Sequence, residues 1–155
     1  MTHEDLLQAI LSLNAEDAFR PRLDPSQWRT LLQYLTRHDV RPGEMLLKQG
    51  ELDRTVYFLG QGTLQVYTTG GAPGANKIAI LRPGSICGEL GLFADGARTA
   101  NVEAMTPCVV WAMRLPRFEE LCARVPQIAL EVLRGAGTVM ALRMRSNMTR
   151  QTPIT

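Results

Sequence analysis

The sequence predicts a mainly-β domain with helices at both ends, and three observations carry that reading. Residues 38–113 divide into short apolar runs separated by glycine turns, the spacing of a small all-β sandwich or roll. Before them, leucines recur every three or four positions behind helix-start signals; after them, two prolines each open a further run of helical spacing. A chain of 155 residues is about one domain with room for a sizeable core. The limits read this way are 1–37 for a helical segment, 38–114 for the strands, 115–148 for the C-terminal helices and 149–155 for a tail.

Taken in order, Thr2 and Asp5 resemble a helix start, and Leu6, Leu7, Ile10, Leu11 and Leu13 mark a short amphipathic helix ending near Asn14. Ala15 to Phe19 read as one more turn, broken at Arg20-Pro21-Arg22. Asp24 then stands as an N-cap, Pro25 at the first helical position and Gln27 where it closes a capping box. Trp28, Leu31, Leu32 and Leu35 follow on one face.

The predicted strands are 44–49, between Pro42-Gly43 and Gly50; 54–59 and 63–69, read as a hairpin through Gly60-Gln61-Gly62; and 77–81, after a loop at 70–76. Arg82-Pro83-Gly84-Ser85 then turns the chain. Two more strands follow: Ala100, Val102 and Ala104 alternate with Asn101 and Glu103, one face buried and one wet, and 108–113 is continuously apolar. Pro116 begins a helix carrying Phe118, Leu121, Cys122 and Val125, and Pro126 begins a last helix reaching about Asn147.

Composition narrows the function classes. The 17 basic and 15 acidic residues leave a net charge of +2, which does not advertise nucleic-acid binding. No apolar run approaches the roughly 20 residues of a membrane helix, and the amino terminus is acidic where a signal peptide is basic, so a cytoplasmic location and no membrane partner are expected. Cys87, Cys108 and Cys122 are odd in number without a Cys-x-x-Cys pair, which points to buried thiols and away from disulfides or zinc. His3 and His38 are far apart and give little material for a metal-dependent barrel enzyme. No enzyme activity and no metal are expected.

The chemistry concentrates in 87–100. Gly88-Glu89-Leu90-Gly91-Leu92 and Arg98-Thr99-Ala100 place glycines, one acid, one arginine and one hydroxyl in a short span. A compact anion needs converging backbone N–H groups, which Gly88, Leu90 and Gly91 are placed to offer, and a forked cation able to grip two oxygens, which is Arg98. A carboxylate beside an anion is repulsive, so Glu89 must face neutral donors such as ribose hydroxyls. Phosphate plus ribose suggests a nucleotide. The bland readings are a surface arginine paired with Asp95 or Glu103, and a helix-start acid at Glu89.

This span resembles the phosphate-binding cassette of the cyclic-nucleotide-binding domain family. So do Arg41 to Gly50, Val56-Tyr57-Phe58-Leu59 with Gly62, and Leu81-Arg82-Pro83-Gly84, in the right order before it. The resemblance implies an eight-stranded antiparallel jelly-roll-like barrel with N-terminal helices and two C-terminal helices, holding cyclic AMP or cyclic GMP. It maps Glu89 onto the ribose 2′-hydroxyl contact and Arg98 onto the phosphate. Thr99 is either a base reader or an ordinary strand threonine. Val66, Ile86 and Cys87 are candidates for an apolar wall under the base, though core packing alone accounts for them.

The last helix departs from the catabolite activator, which places an adjacent Thr-Ser pair there; this chain has only Thr138 and Ser146, not adjacent. Arg143, Ser146 and Asn147 are the alternative base caps, against a plain solvated helix end. Ile128, Val132, Gly135, Val139 and Leu142 form a stripe suited to a coiled-coil-like seam in a homodimer or to a face packed on the barrel. No DNA-binding module is expected after Asn147, and an unidentified effector protein is implied. The leading expectation is a cyclic-nucleotide sensor signalling through its last helix; the alternative is an interaction or scaffold protein that keeps the barrel without binding nucleotide.

Overall fold

The structure, a computed structural model, describes the backbone of residues 1–70 and 77–151 and the side chains of these except 77 and 147–151. The loop expected at 70–76 and the end of the expected tail therefore lie almost wholly outside the described residues.

Two capping boxes open the chain as its sequence foretells. In α1 (His3–Ser12) the Thr2 side chain accepts from the Asp5 N–H at 3.2 Å while Asp5 accepts from the Thr2 N–H at 2.8 Å. In α2 (Pro25–Leu32) Asp24 and Gln27 do the same at 2.8 and 3.0 Å. Each box satisfies N–H groups that a helix start leaves without partners. At the far end of α1, the Arg20 guanidinium donates to the carbonyls of Ile10, at 2.8 Å, and Leu13.

Eight strands follow: β1 (Thr36–Val40), β2 (Met45–Leu47), β3 (Val56–Gln61), β4 (Leu64–Tyr67), β5 (Lys77–Leu81), β6 (Ile86–Cys87), β7 (Asn101–Ala104) and β8 (Cys108–Met113). Strand β1 thus begins two residues before the limit read at 38. The turns before β2 and β6 are Pro-Gly turns, closed by Glu44 N–H to the Arg41 carbonyl at 3.0 Å and Ser85 N–H to the Arg82 carbonyl at 3.0 Å. Their glycines, Gly43 and Gly84, take φ of +83° and +97°, which the third position of this turn requires.

All ladders are antiparallel, but among the described residues they do not close into a barrel. They form two four-stranded sheets, β1-β8-β3-β6 and β2-β7-β4-β5. This corrects the expected hairpin as well: β3 pairs with β6 and β8, and β4 with β5 and β7, so Gly60 to Gly62 carries the chain from one sheet to the other. The reason is burial. Leu59 and Leu64 both enter the core between the sheets, where they meet Val40, Leu81, Val102 and Val110, and paired strands of a single sheet would not face each other across it.

A second core lies on the outer face of the first sheet. Val56, Phe58, Ile86, Trp111 and Met113 alternate outward and are covered by Leu6, Ile10 and Phe19 from the N-terminal segment and by Phe118, Leu121 and Ile128 from the C-terminal helices. The latter are α3 (Leu115–Arg124) and α4 (Pro126–Gln151), so α4 runs past the limit read at 148. Ile128, Val132 and Val139 are fully buried here, and Gly135 packs against Phe19. Of the two uses expected of the stripe, packing on the rest of the fold accounts for these four positions, with Leu142 half-buried.

On β7, Asn101 departs from the expected wet face. It is buried, and its Oδ1 accepts the Gln49 N–H at 2.9 Å, which fixes the end of β2 to β7. Glu103 is half-buried and accepts from the Tyr67 hydroxyl at 2.9 Å.

Candidate functional site

The glycine-rich span folds into a tight turn between β6 and β7. Gly88 takes φ +76° and leads into a short 3₁₀ helix, Glu89–Leu92. A side chain at Gly88 is excluded twice: the backbone is left-handed, and a Cβ would lie 2.8 Å from the Thr55 carbonyl oxygen and 2.9 Å from Arg98 Nη1. Gly91 is equally confined, because a Cβ there would lie 2.7 Å from Arg54 Cα. The Gly91 N–H is bonded to the Gly88 carbonyl at 3.1 Å, so the turn itself uses one of the amides expected to face an anion.

Arg98 is buried, and its backbone is pinned to the preceding loop through Arg98 N–H to the Glu51 carbonyl at 2.8 Å and Gly50 N–H to the Arg98 carbonyl at 2.9 Å. Its Nη2 donates to the Thr55 carbonyl at 2.5 Å and its Nη1 to the Gly88 carbonyl at 3.3 Å. Asp53 stands 3.8 Å from Nη2, and neither Asp95 nor Glu103 is the partner. The Nε atom is buried and has no hydrogen-bond partner among the described residues. Asp53 is placed by accepting from the Thr55 N–H and hydroxyl at 3.0 and 2.9 Å. Burial opposes its charge, but those two bonds and the Arg98 and Arg114 guanidinium groups outweigh it and hold its pKa below the ordinary 3.8.

Glu89 is 7 % exposed and is met by a cation from α4. Arg143 Nη1 donates to Glu89 Oε1 at 3.1 Å, Nε to Asp17 Oδ2 at 2.8 Å and Nη2 to the Ile86 carbonyl at 2.7 Å. One guanidinium therefore joins α4, the cassette, β6 and the N-terminal segment. Burial works against its charge, yet Glu89 and Asp17 together raise its pKa above the ordinary value. It stays a cation.

The other expected residues divide. Val66 and Cys87 belong to the core between the sheets, Cys87 with its thiol pushed up to about 12 by burial and by Glu89. Ile86 does not join them. Its side chain is fully buried in the helix-facing core because successive residues of a strand point to opposite faces, so the apolar wall read at 86–87 has only Cys87 on the inner face. Leu90 and Thr99 are exposed and Ala100 half-buried. Ser146 is exposed on α4; the Asn147 side chain lies outside the described residues.

Two participants, Asp53 and Asp17, escaped the reading of the sequence. The Asp53-x-Thr55 spacing carries a usable signal, since an aspartate commonly bonds its own backbone two residues on. Asp17 carries none, because its partner is 126 residues away. A cavity of about 620 Å³ lies at the ends of β1, β2 and β8; it borders Asp53, Thr55 and Tyr57 and is not lined by Glu89 or Val66.

Residues 37–125 match the family described as the cyclic nucleotide-binding domain. The chain belongs to that family. This cyclic nucleotide-binding domain is 30% identical over 105 residues to potassium/sodium hyperpolarization-activated cyclic nucleotide-gated channel 4 of Homo sapiens, which covers 68% of this chain and 8% of the channel. It is 27% identical over 120 residues to the Homo sapiens cGMP-dependent protein kinase 2, covering 77% of this chain and 15% of the kinase. The chain thus spans a small part of the length of these curated relatives. A solved cyclic nucleotide-binding domain from Methylobacillus flagellatus KT superposes with a TM-score of 0.82 at 19% identity, over 99% of this chain and 85% of that one. The family is one of regulatory and signalling domains. Among the described residues, no helix is long and apolar enough to cross a membrane.

Proposed function

We propose that this domain is a sensor for cyclic AMP or cyclic GMP, with the phosphate held at Arg98 and the ribose at Glu89, and with α4 relaying occupancy. The observation that carries the reading is Arg98: a buried guanidinium, its Nε without a partner among the described residues, beside a left-handed Gly88 and a buried carboxylate. A buried donor without a partner is costly, on the order of 1–3 kcal/mol, and an anion accepting from it removes that cost. The fork also grips two oxygens at once, which suits a cyclic phosphate.

Glu89 is suited to the ribose because only one of its oxygens is engaged by Arg143, and a carboxylate accepts from hydroxyl donors. Thr99, Val66 and Cys87 are the remaining candidates for contact with the base, and Arg143 belongs to the ribose side of the site in this reading. The relay is supported by the physical connection: Arg143 on α4 bonds directly to the cassette carboxylate, so a ligand that repositions Glu89 acts on α4 through one ion pair.

Calorimetric titration of the purified chain with cyclic AMP and with cyclic GMP tests this. Binding of either is the expected outcome, with thermal stabilisation near 2.7 kcal/mol at about 100 times the dissociation constant. Absence of both heat and thermal shift at millimolar nucleotide would leave the scaffold reading in place of the sensor.

A further inference from the structure

We propose that Asp17 is a positioning residue for ribose recognition, acting through Arg143 on Glu89; this deepens the nucleotide reading and rests on it. Asp17 lies in the irregular segment between α1 and α2, far from the cassette in sequence. The segment is laid along α4 by three contacts: Arg22 N–H donates to Glu131 Oε1 at 2.7 Å, Phe19 packs on Gly135, and Asp17 accepts from Arg143 at 2.8 Å. Positions 131, 135 and 143 are spaced by multiples of four residues, each step of four passing a full turn by about 40°, so the three contacts wind along one side of α4.

The geometry of the guanidinium explains why Asp17 matters to Glu89. An arginine side chain is long and rotamer-rich, so its aim depends on what holds its guanidinium, and Arg143 is held at three of its atoms. Its Nε lies at the root of the fork. Holding Nε at Asp17 and Nη2 at the Ile86 carbonyl sets the guanidinium plane, and that plane aims Nη1 at Glu89 Oε1. Oε2 makes no hydrogen bond among the described residues and is the oxygen presented to a ribose hydroxyl.

Charge works in the same direction. Glu89 is a nearly buried carboxylate beside the place proposed for an anionic phosphate, and a buried charge needs a paired opposite charge to be kept there. Arg143 supplies that cation, and Asp17 keeps it in place.

The test uses the full chain and two ligands: the cyclic nucleotide that binds and its 2′-deoxy analogue. In Asp17→Asn, affinity for the ribonucleotide should fall about five-fold, within the range of coupled neighbours, while affinity for the 2′-deoxy analogue changes by no more than about two-fold. Arg143→Gln should show the same selective loss, and adding Asp17→Asn to it should cause no further loss. Equal losses for both ligands, no loss, or losses that multiply in the double variant overturn the assignment. Should Asp17→Asn fail to fold, Asp17→Ser carries the same comparison, and Arg143→Gln alone must still discriminate the two ligands. A parent chain that binds neither ligand overturns the nucleotide reading itself, whereas a parent that binds both equally well overturns only the role given to Glu89 and Asp17.

Discussion

In the proposed nucleotide site, the phosphate half and the ribose half are built by different means. The phosphate half is made within the sandwich: Arg98 is gripped by the Thr55 and Gly88 carbonyls, by Asp53 and by the backbone of residues 50 and 51, all on the loops joining β2 to β3 and β6 to β7. The ribose half is made between elements: Glu89 is fixed by Arg143 from α4, which is fixed in turn by Asp17 from before α2. The contacts of the Arg98 side chain come from carbonyls and a carboxylate on the loops, whereas the contact that fixes Glu89 comes from α4. On the proposed reading, the cassette combines an anion site held within the sandwich with a sugar site tied to α4.

The largest expected effect breaks the phosphate half. Arg98→Ala should cost nucleotide affinity on the order of 2–5 kcal/mol by calorimetry, while circular dichroism shows the fold retained. Arg98→Lys keeps the charge and loses the fork, and should fall between parent and Ala. Equal binding by the Ala variant would remove Arg98 from the site. Next comes the ribose half itself: Glu89→Gln should lose about 1.5–3 kcal/mol against the ribonucleotide and little against its 2′-deoxy analogue, which is the selectivity that Arg98→Ala should lack.

Two glycines on α4 sharpen the contrast because they differ only in what surrounds them. At Gly135 a Cβ would lie 2.7 Å from Phe19 Cε1, so Gly135→Ala should displace the segment carrying Asp17 and destabilise by about 1–3 kcal/mol, seen as a melting temperature several degrees lower. At Gly137 the nearest atom to a Cβ is Phe93 Cζ at 3.7 Å, an ordinary contact. Gly137→Ala should therefore stabilise, by up to about 1 kcal/mol, through helix propensity alone. Destabilisation by both to the same degree would mean that the packing on Phe19 is not what distinguishes them.

The smallest effect concerns acid. Asp53 has its pKa depressed in the folded chain, so its contribution is complete above the ordinary aspartate range near pH 4 and is lost as pH falls through the lower folded value. Asp53→Asn should lower neutral stability by a small amount, since the group is partly exposed to solvent, and should flatten the acid limb below about pH 4 by that same amount. A variant whose acid limb keeps the parent's slope would show that the Thr55 hydrogen bonds and the neighbouring guanidinium groups do not favour the Asp53 charge in the folded chain.

Much of this was legible without the fold. Both capping boxes and the Pro-Gly turns follow from residues within four positions of one another, where backbone sterics and side-chain reach settle the conformation. The grouping of Gly88, Glu89 and Arg98 was likewise visible, because they lie within eleven residues of one another, and the fold brings Arg98 onto the Gly88 carbonyl. Strand β1 was not read as a strand: Thr36, Arg37, His38 and Asp39 are exposed and polar, and only their pairing with β8 makes them one. The reach of β6 was also invisible, since two residues carry no periodicity.

What the sequence by itself determined, then, is local: where helices start, where the chain turns with a left-handed glycine, and which residues could grip a phosphate. The tertiary structure alone decided that β3 and β4 part into different sheets, that Ile86 and Cys87 enter different cores, and that Arg143 meets Glu89 and Asp17. The division has one physical cause. Caps and turns are fixed by sterics and hydrogen bonds over a few residues, whereas sheet membership and long-range ion pairs depend on which surfaces bury one another, and no local pattern encodes that choice.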